Sequence, residues 1–456
     1  MHALVVALFL QILIVEYLVE RRQLLSPYFV LIPELLSTIV MIIVLLRLMN
    51  GTRVNFDWRY GLFIAVLLFT IAFGWAVQDV PTGAMLAGSR AYFKFLPFFL
   101  LPAVHQFTKK QLRVQLGLLF VLALLQTPLA FYQRFIEFGN DMHTGDPVRG
   151  TLTASSSMSL LMLIALTGVV ISYLRGRLRI GAMVLLAAWL FSSTTINETK
   201  ATLVLLPLAL LVPAFLMGRR DVVRRLLPLA AVGALAVVAF VGVYNYLIQF
   251  RQYPDSLGEF FSTQELRYYL YTGASNTDEP YVGRFDSIEL ALKHTSAEPL
   301  KLAFGYGAGN VTESFLPQFA GRYWDYYLRF GIGQTQVTQW LWEVGAIGLA
   351  AFLFLYYLVT RDALQLARSK DENADLGQLW VVAMIVMTFG LLYKSLLTMN
   401  DFGYLFWYFS GLVASRAAAV RRKASQRVAH RAPASWRLAM DGPPAHVKPA
   451  HVEGWR

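Results

Sequence analysis

Three short runs in the second half of the chain hold residues able to do chemistry. Gly283-Arg284-Phe285-Asp286 puts a guanidinium at the start of a helical apolar spacing, Phe285, Ile288, Leu290 and Leu292. Such a group either pairs with Asp286 or Glu289 at the surface, which is worth little, or grips phosphate oxygens as a bidentate donor. Phe304-Gly305-Tyr306-Gly307-Ala308-Gly309-Asn310 is spaced for a tight turn or a close backbone approach. It follows no soluble strand and opens no βαβ unit, which argues against a dinucleotide site. Gly331-Ile332-Gly333-Gln334-Thr335-Gln336 is a polar lead into an apolar stretch that contains Glu343. A carboxylate inside a membrane costs roughly 2.5–3.5 kcal/mol at mid-depth. Glu343 therefore serves positioning or proton handling, or it makes an interhelical hydrogen bond. There is no Cys, so thiol nucleophiles, disulfides and thiolate metal sites are excluded.

The elements that must hold these runs are apolar helices. Hydrophobic residues make up 57% of the 456 residues and charged ones only 15%, which excludes disorder and argues against a soluble enzyme. The pattern predicts an all-α polytopic membrane protein with about twelve spans of near 20 residues. They run 2–19, 27–49, 59–77, 91–107, 112–133, 153–174, 180–196, 201–217, 226–248, 335–360, 379–397 and 402–418. The first has no basic lead and no small-residue cleavage site, so it reads as a span and not a signal peptide. Four blocks organise the chain: helices one to nine over 1–248, a large loop over 249–334, helices ten to twelve over 335–418, and a basic tail over 419–456.

Charge sets the expected orientation. Lys109, Lys110 and Arg113, then Arg175, Arg177 and Arg179, then Arg219, Arg220, Arg224 and Arg225, then Arg361, Arg368 and Lys370 fall in alternate loops. Those loops belong on the cytoplasmic side. Both termini fall there too, and Arg21 and Arg22 run against the bias. The 86-residue loop then lies outside the cytoplasm, with a net charge of −3 against +15 for the rest of the chain. The excess positive charge is therefore topological and does not signal nucleic acid. The loop is dense in aromatics, among them Tyr268, Tyr269, Tyr271, Tyr281, Tyr306, Tyr323 and Trp324. A long ordered loop in a compact protein is usually functional, the plainer reading being a cap with its rings at the lipid headgroups. The tail from Arg416 on mixes Arg, Ala, Pro and His without apolar period and is expected to be irregular and to face anionic lipid. His430, His446 and His451 within it give no convincing metal site.

The order of these runs resembles the O-antigen ligase and O-antigen polymerase family, bacterial inner-membrane enzymes acting on lipid-linked glycans. The resemblance is carried by Arg284 and its helix, by Glu298-Pro299-Leu300 leading to Gly305-Tyr306-Gly307-Ala308-Gly309, and by Glu343-Val344-Gly345-Ala346-Ile347-Gly348-Leu349. Upstream, Val148-Arg149-Gly150-Thr151-Leu152 and Asn197-Glu198-Thr199-Lys200-Ala201 also match, with Lys200 where the family usually has Arg. By layout the resemblance covers most of the chain, and by residues about 145–205 and 284–350.

The resemblance implies transfer of a glycan from an undecaprenyl-diphosphate carrier to a sugar hydroxyl at the periplasmic face, with no metal and no cofactor. Arg284 and Lys200, with Arg149 third, would stabilise the charge that grows on the diphosphate as the glycosidic bond breaks. Tyr306, Gly307, Gly309 and Glu343 would bind substrate. Ligases of the family carry a His at the position of Gln334. Gln is no general base, though it can orient a hydroxyl. His143 and His294 could supply a base or be solvated loop residues. The missing His tilts the expectation to a polymerase of exopolysaccharide or O-antigen repeat units, with a ligase acting on lipid A core as the alternative. The acceptor, membrane lipids and other polysaccharide-assembly proteins are the expected partners. A glycan-lipid or small-solute transporter is the rival class, although no internal repeat is visible, and a non-catalytic scaffold is the third.

Overall fold

The structure, a computed structural model, describes residues 1–139, 145–217, 222–248, 257–267, 270–271, 282–312, 314 and 317–431. Among them every regular element is helical. The helices that position the polar runs are α1 (His2–Glu20), α2 (Pro27–Met49), α3 (Trp58–Val77), α4 (Thr82–Phe93), α5 (Leu96–Val104) and α6 (Lys109–Tyr132). They continue with α7 (Ser155–Leu174), α8 (Ile180–Ile196), α9 (Ala201–Met217) and α10 (Val222–Ile248). The second half holds α11 (Arg284–Thr295), α12 (Pro299–Phe304), α13 (Gln336–Ala367), α14 (Ala374–Tyr393) and α15 (Asn400–Arg431).

Eight of the described helices are long and apolar enough to cross a membrane: α1, α2, α3, α6, α7, α10, α13 and α14. Two more, α8 and α9, are apolar and 17 residues long. Their outer faces expose side chains such as Leu45, Leu185 and Leu235, as lipid-facing surfaces must. The stretch expected as a span over 91–107 is instead shared by α4 and α5, which part at Lys94 and Phe95. Pro97 in the first turn of α5 suits a fresh helix start. The short helix expected over Phe285–Leu292 is α11. Beyond Arg416, where irregular chain was expected, α15 runs on to Arg431. That segment is rich in Ala and Arg and has no Gly or Pro, which favours helix. Residues 432–456 and His143 lie outside the described residues, as do Tyr268, Tyr269 and Tyr281, and of His430 only the backbone is described.

The interior is aromatic. Phe63, Phe95, Phe98, Phe99, Tyr404, Trp407 and Tyr408 are buried where α3, α5 and α15 meet. At one end of the bundle, charges stitch the helices together. Asp362, fully buried, accepts from Tyr60 Oη at 3.0 Å and from Arg421 Nη1 at 2.8 Å, joining α13 to α3 and α15. Arg175 Nε and Arg177 Nη1 reach Asp375 at 2.7 and 2.6 Å, joining the end of α7 to the start of α14. Arg225 Nη1 on α10 donates to the carbonyls of Tyr173 and Leu174 at 2.9 and 2.6 Å. The polar runs gather at the opposite end.

Candidate functional site

Arg284 is the first residue of α11 and lies against the last turn of α14. Its Nε donates to the Tyr393 carbonyl at 3.0 Å, and its guanidinium lies 4.3 Å from the centre of the Tyr393 ring. The hydrogen bond and the stacking fix the direction of the planar fork. The next residue, Lys394, has left the helix in extended conformation and is half-buried. Burial first, and then the charges of Arg284 and Arg149, hold its ammonium below the usual lysine range, while Asp146 opposes them. Three cations from distant parts of the chain therefore share one region. Three like charges held together are stabilised by an anion set among them.

Arg149 belongs to the loop ahead of α7. Gln133 anchors that loop: its Oε1 accepts from the N–H groups of Arg149 and Gly150 at 3.1 and 2.8 Å, and its Nε2 donates to the Gly150 carbonyl at 2.9 Å. Asp401, buried at the start of α15, accepts from Thr153 N–H at 2.9 Å. The Arg149 Nη1 donates to the Thr153 carbonyl at 2.5 Å, and its Nε is buried without a hydrogen-bond partner. Arg21 and Arg22, which run against the charge bias, meet the same loop region. Arg21 donates to the Pro147 carbonyl at 2.8 Å, and Arg22 pairs with Glu137 at 3.1 Å. Burial, and after it the charge of Arg21, keeps the Arg149 guanidinium below its usual range, countered by Glu20 and Asp401.

Lys200 stands in the turn before α9. Asn197 ties that turn to α7: its Nδ2 donates to the Ser155 carbonyl at 3.0 Å and to Ser159 Oγ at 2.8 Å. Glu198 is held in the left-handed region, φ +57°, which is strained for a side chain of its kind. What holds it is a buried ion pair with Arg134 at 2.9 Å. Gly145 touches this turn closely, since a Cβ there would lie 2.4 Å from the Asn197 carbonyl oxygen. The Arg149 loop and the Lys200 turn are thus packed on each other. Lys200 itself lies over the Tyr244 ring at 5.6 Å. Thr199, Ala201 and Thr202 line a narrow cleft with Ser159 of α7 and Phe389, Gly390 and Tyr393 of α14. Tyr393 is therefore common to the cleft and to the Arg284 contact.

Gln334 ends a helical turn, Ile332–Gln334, that follows Gly331 in the left-handed conformation. Ser395 Oγ donates to the carbonyls of Gly333 and Thr335, at 3.0 and 3.3 Å, and so grips the backbone on both sides of Gln334. Ser287 of α11 bonds Thr338 of α13 at 2.9 Å. The Gln334 turn, the start of α11 and the Lys394-Ser395 exit from α14 are one packed unit.

The remaining residues singled out by sequence sit in a neighbouring cradle. Gly305, Gly307 and Gly309 all have positive φ, 70°, 88° and 80°. Gly309 lies flat on α4, where a Cβ would fall 2.0 Å from the Ala84 carbonyl oxygen. Glu343, 1% exposed, accepts from Tyr92 Oη, from Thr312 Oγ1 at 2.9 Å and from Gly309 N–H at 3.3 Å. Gly345 breaks the helical backbone of α13 with φ +64°. Tyr306 donates its N–H to the Trp342 carbonyl at 2.7 Å, and its ring packs on Trp342 at 5.1 Å. His294 joins the same aromatic cluster, 4.5 Å from Phe330 and 5.3 Å from Trp342, and burial with Lys293 and Arg329 lowers its basicity.

No family model matches this chain, and no curated protein matches it. The site must therefore be read from its own residues. Lys394, Arg134 and Asp401 escape a reading of the sequence alone. The signal for Lys394 was a lysine inside the apolar window 379–397, where a charge is costly unless used.

Proposed function

We propose that the protein is a membrane glycosyltransferase that transfers or polymerises undecaprenyl-diphosphate-linked oligosaccharides, working at the periplasmic face of a bacterial inner membrane. The observation that carries this reading is the convergence of Arg149, Arg284 and Lys394 beside a cleft between apolar helices. A lipid diphosphate is a ligand with both characters. Its charge suits the cations and its prenyl chain suits the bundle. Arg284 and Arg149 neutralise the diphosphate, and the same contacts strengthen as the anomeric C–O bond breaks and charge moves onto the leaving oxygen. Lys200, next to the cleft-lining Thr199 and Ala201, meets the leaving group from the α9 side. Gln334 orients the acceptor hydroxyl. The aromatic cluster around Tyr306, Tyr323 and Tyr326 offers faces for sugar rings. The polymerase form is preferred to the ligase because Gln334 stands where ligases carry His.

The test is purified protein incubated with a lipid-linked repeat unit and read for chain growth. Arg284→Ala and Lys200→Ala are expected to abolish polymer at normal protein level and membrane insertion, and Gln334→Ala to have a milder effect. Full-length polymer from both cation variants would overturn the site assignment. Release of undecaprenyl diphosphate without growth would favour a ligase lacking its acceptor, and no turnover a transporter or scaffold.

A further inference from the structure

Glycosyl transfer to a hydroxyl leaves one proton to be placed. As the acceptor oxygen bonds the anomeric carbon, the C–O bond to the diphosphate breaks and its electron pair leaves on the diphosphate oxygen. The acceptor O–H proton must go to a base. Gln334 cannot take it, and His294 is packed among Phe330, Trp342 and Tyr326. The group next to the Gln334 turn is Lys394. Its neighbour Ser395 holds the carbonyls on both sides of Gln334, and its other neighbour, Tyr393, carries the Arg284 guanidinium. The backbone at Lys394 is thus fixed between the Gln334 turn and the Arg284 contact, and its ammonium lies in the field of Arg284, Asp146 and Arg149.

The charged groups facing Lys394 are Arg284 from the start of α11, and Arg149 and Asp146 from the loop ahead of α7. Arginines stay protonated, so in this trio only the lysine can give up its proton. Two guanidiniums and half-burial favour its neutral form.

We propose that Lys394, as the free amine, takes the proton of the acceptor hydroxyl during transfer, an inference that rests on the glycosyltransferase reading. The ammonium so formed passes its proton to water once the diphosphate has left.

The experiment uses the full chain in nanodiscs and two readouts. One is binding of farnesyl diphosphate, compared with inorganic pyrophosphate and with anionic phospholipid in the disc. The other is the single-turnover rate of chain growth against pH. Lys394→Arg keeps the cation and removes the base. It is expected to retain farnesyl diphosphate binding, which also shows that the variant folds, while its rate drops by about 10²–10⁴-fold. Lys394→His is expected to recover part of that loss, with the rising limb of the pH profile moved toward the imidazole range of about 6.5. A wild-type rate in Lys394→Arg would make Lys394 only a cation and overturn the proposal. So would loss of the rising limb in Asp146→Asn but not in Lys394→Arg, which would assign the proton to Asp146. Wild-type protein that neither binds farnesyl diphosphate more tightly than phospholipid nor elongates would instead bring down the glycosyltransferase reading, and this proposal with it.

Discussion

Glu343 decides whether the glycine cradle is chemistry or scaffold. Its carboxylate receives Tyr92 Oη from α4, Thr312 Oγ1 at 2.9 Å and Gly309 N–H at 3.3 Å. Glu343→Ala leaves those donors facing a buried void. A buried donor left unmet costs about 1–3 kcal/mol. The Gly309 bond is long and contributes least, so we expect a total of roughly 3–6 kcal/mol, comparable with a domain's whole stability. Glu343→Gln keeps the shape and one carbonyl oxygen and should lose about half as much. The assay is denaturant unfolding in detergent, followed by tryptophan fluorescence, to which the buried Trp340 and Trp342 in the same turns of α13 contribute. Binding of farnesyl diphosphate is measured in parallel on the folded fraction. The expected result is a large loss of stability with normal binding per folded molecule. An Ala variant as stable as wild type but inactive would refute the scaffold argument and put the carboxylate on the substrate.

Two further outcomes follow from close contacts. Gly309→Ala meets both a positive φ of 80° and the Ala84 carbonyl oxygen at 2.0 Å, so it should prevent accumulation of folded protein. Gly168→Ala has open space around it in α7 and should accumulate normally, both checked by membrane level and size exclusion. Arg134→Gln uncovers the buried Glu198 and should cost about 3–5 kcal/mol. It should also lower transfer, whereas Arg134→Gln with Glu198→Gly, which removes both the lone charge and the backbone strain, should regain stability in the same unfolding assay.

Most of the scaffold was readable from apolar length, because a spanning helix must satisfy its own backbone and shows it as a run. Ile180–Ile196 and Ala201–Met217 coincide with the expected spans to the residue. The reading slipped where tertiary bonds override hydropathy. Lys94 looks like a flaw in a span, yet it donates to Asn400 at 2.6 Å and marks the break between α4 and α5. Glu16 sits inside the first helix, which formed as expected, and Asn400 donates to it at 2.8 Å. Arg284 and the Gly305–Gly309 run were visible because composition singles them out. Lys394 was not, since nothing local says that residues 149, 284 and 394 meet. Arg134 was hidden for the same reason: its partner is 64 positions away by number and only adjacent in space.

The rivets at the far end of the bundle have a mechanical meaning. Asp375 fastens the end of α7 to the start of α14, while the cleft opens between the other ends of the same two helices. Two rods pinned at one end behave as tongs. A small tilt about Asp375 has its widest travel beside Ser159 and Tyr393, so the cleft can widen without disturbing the pivot.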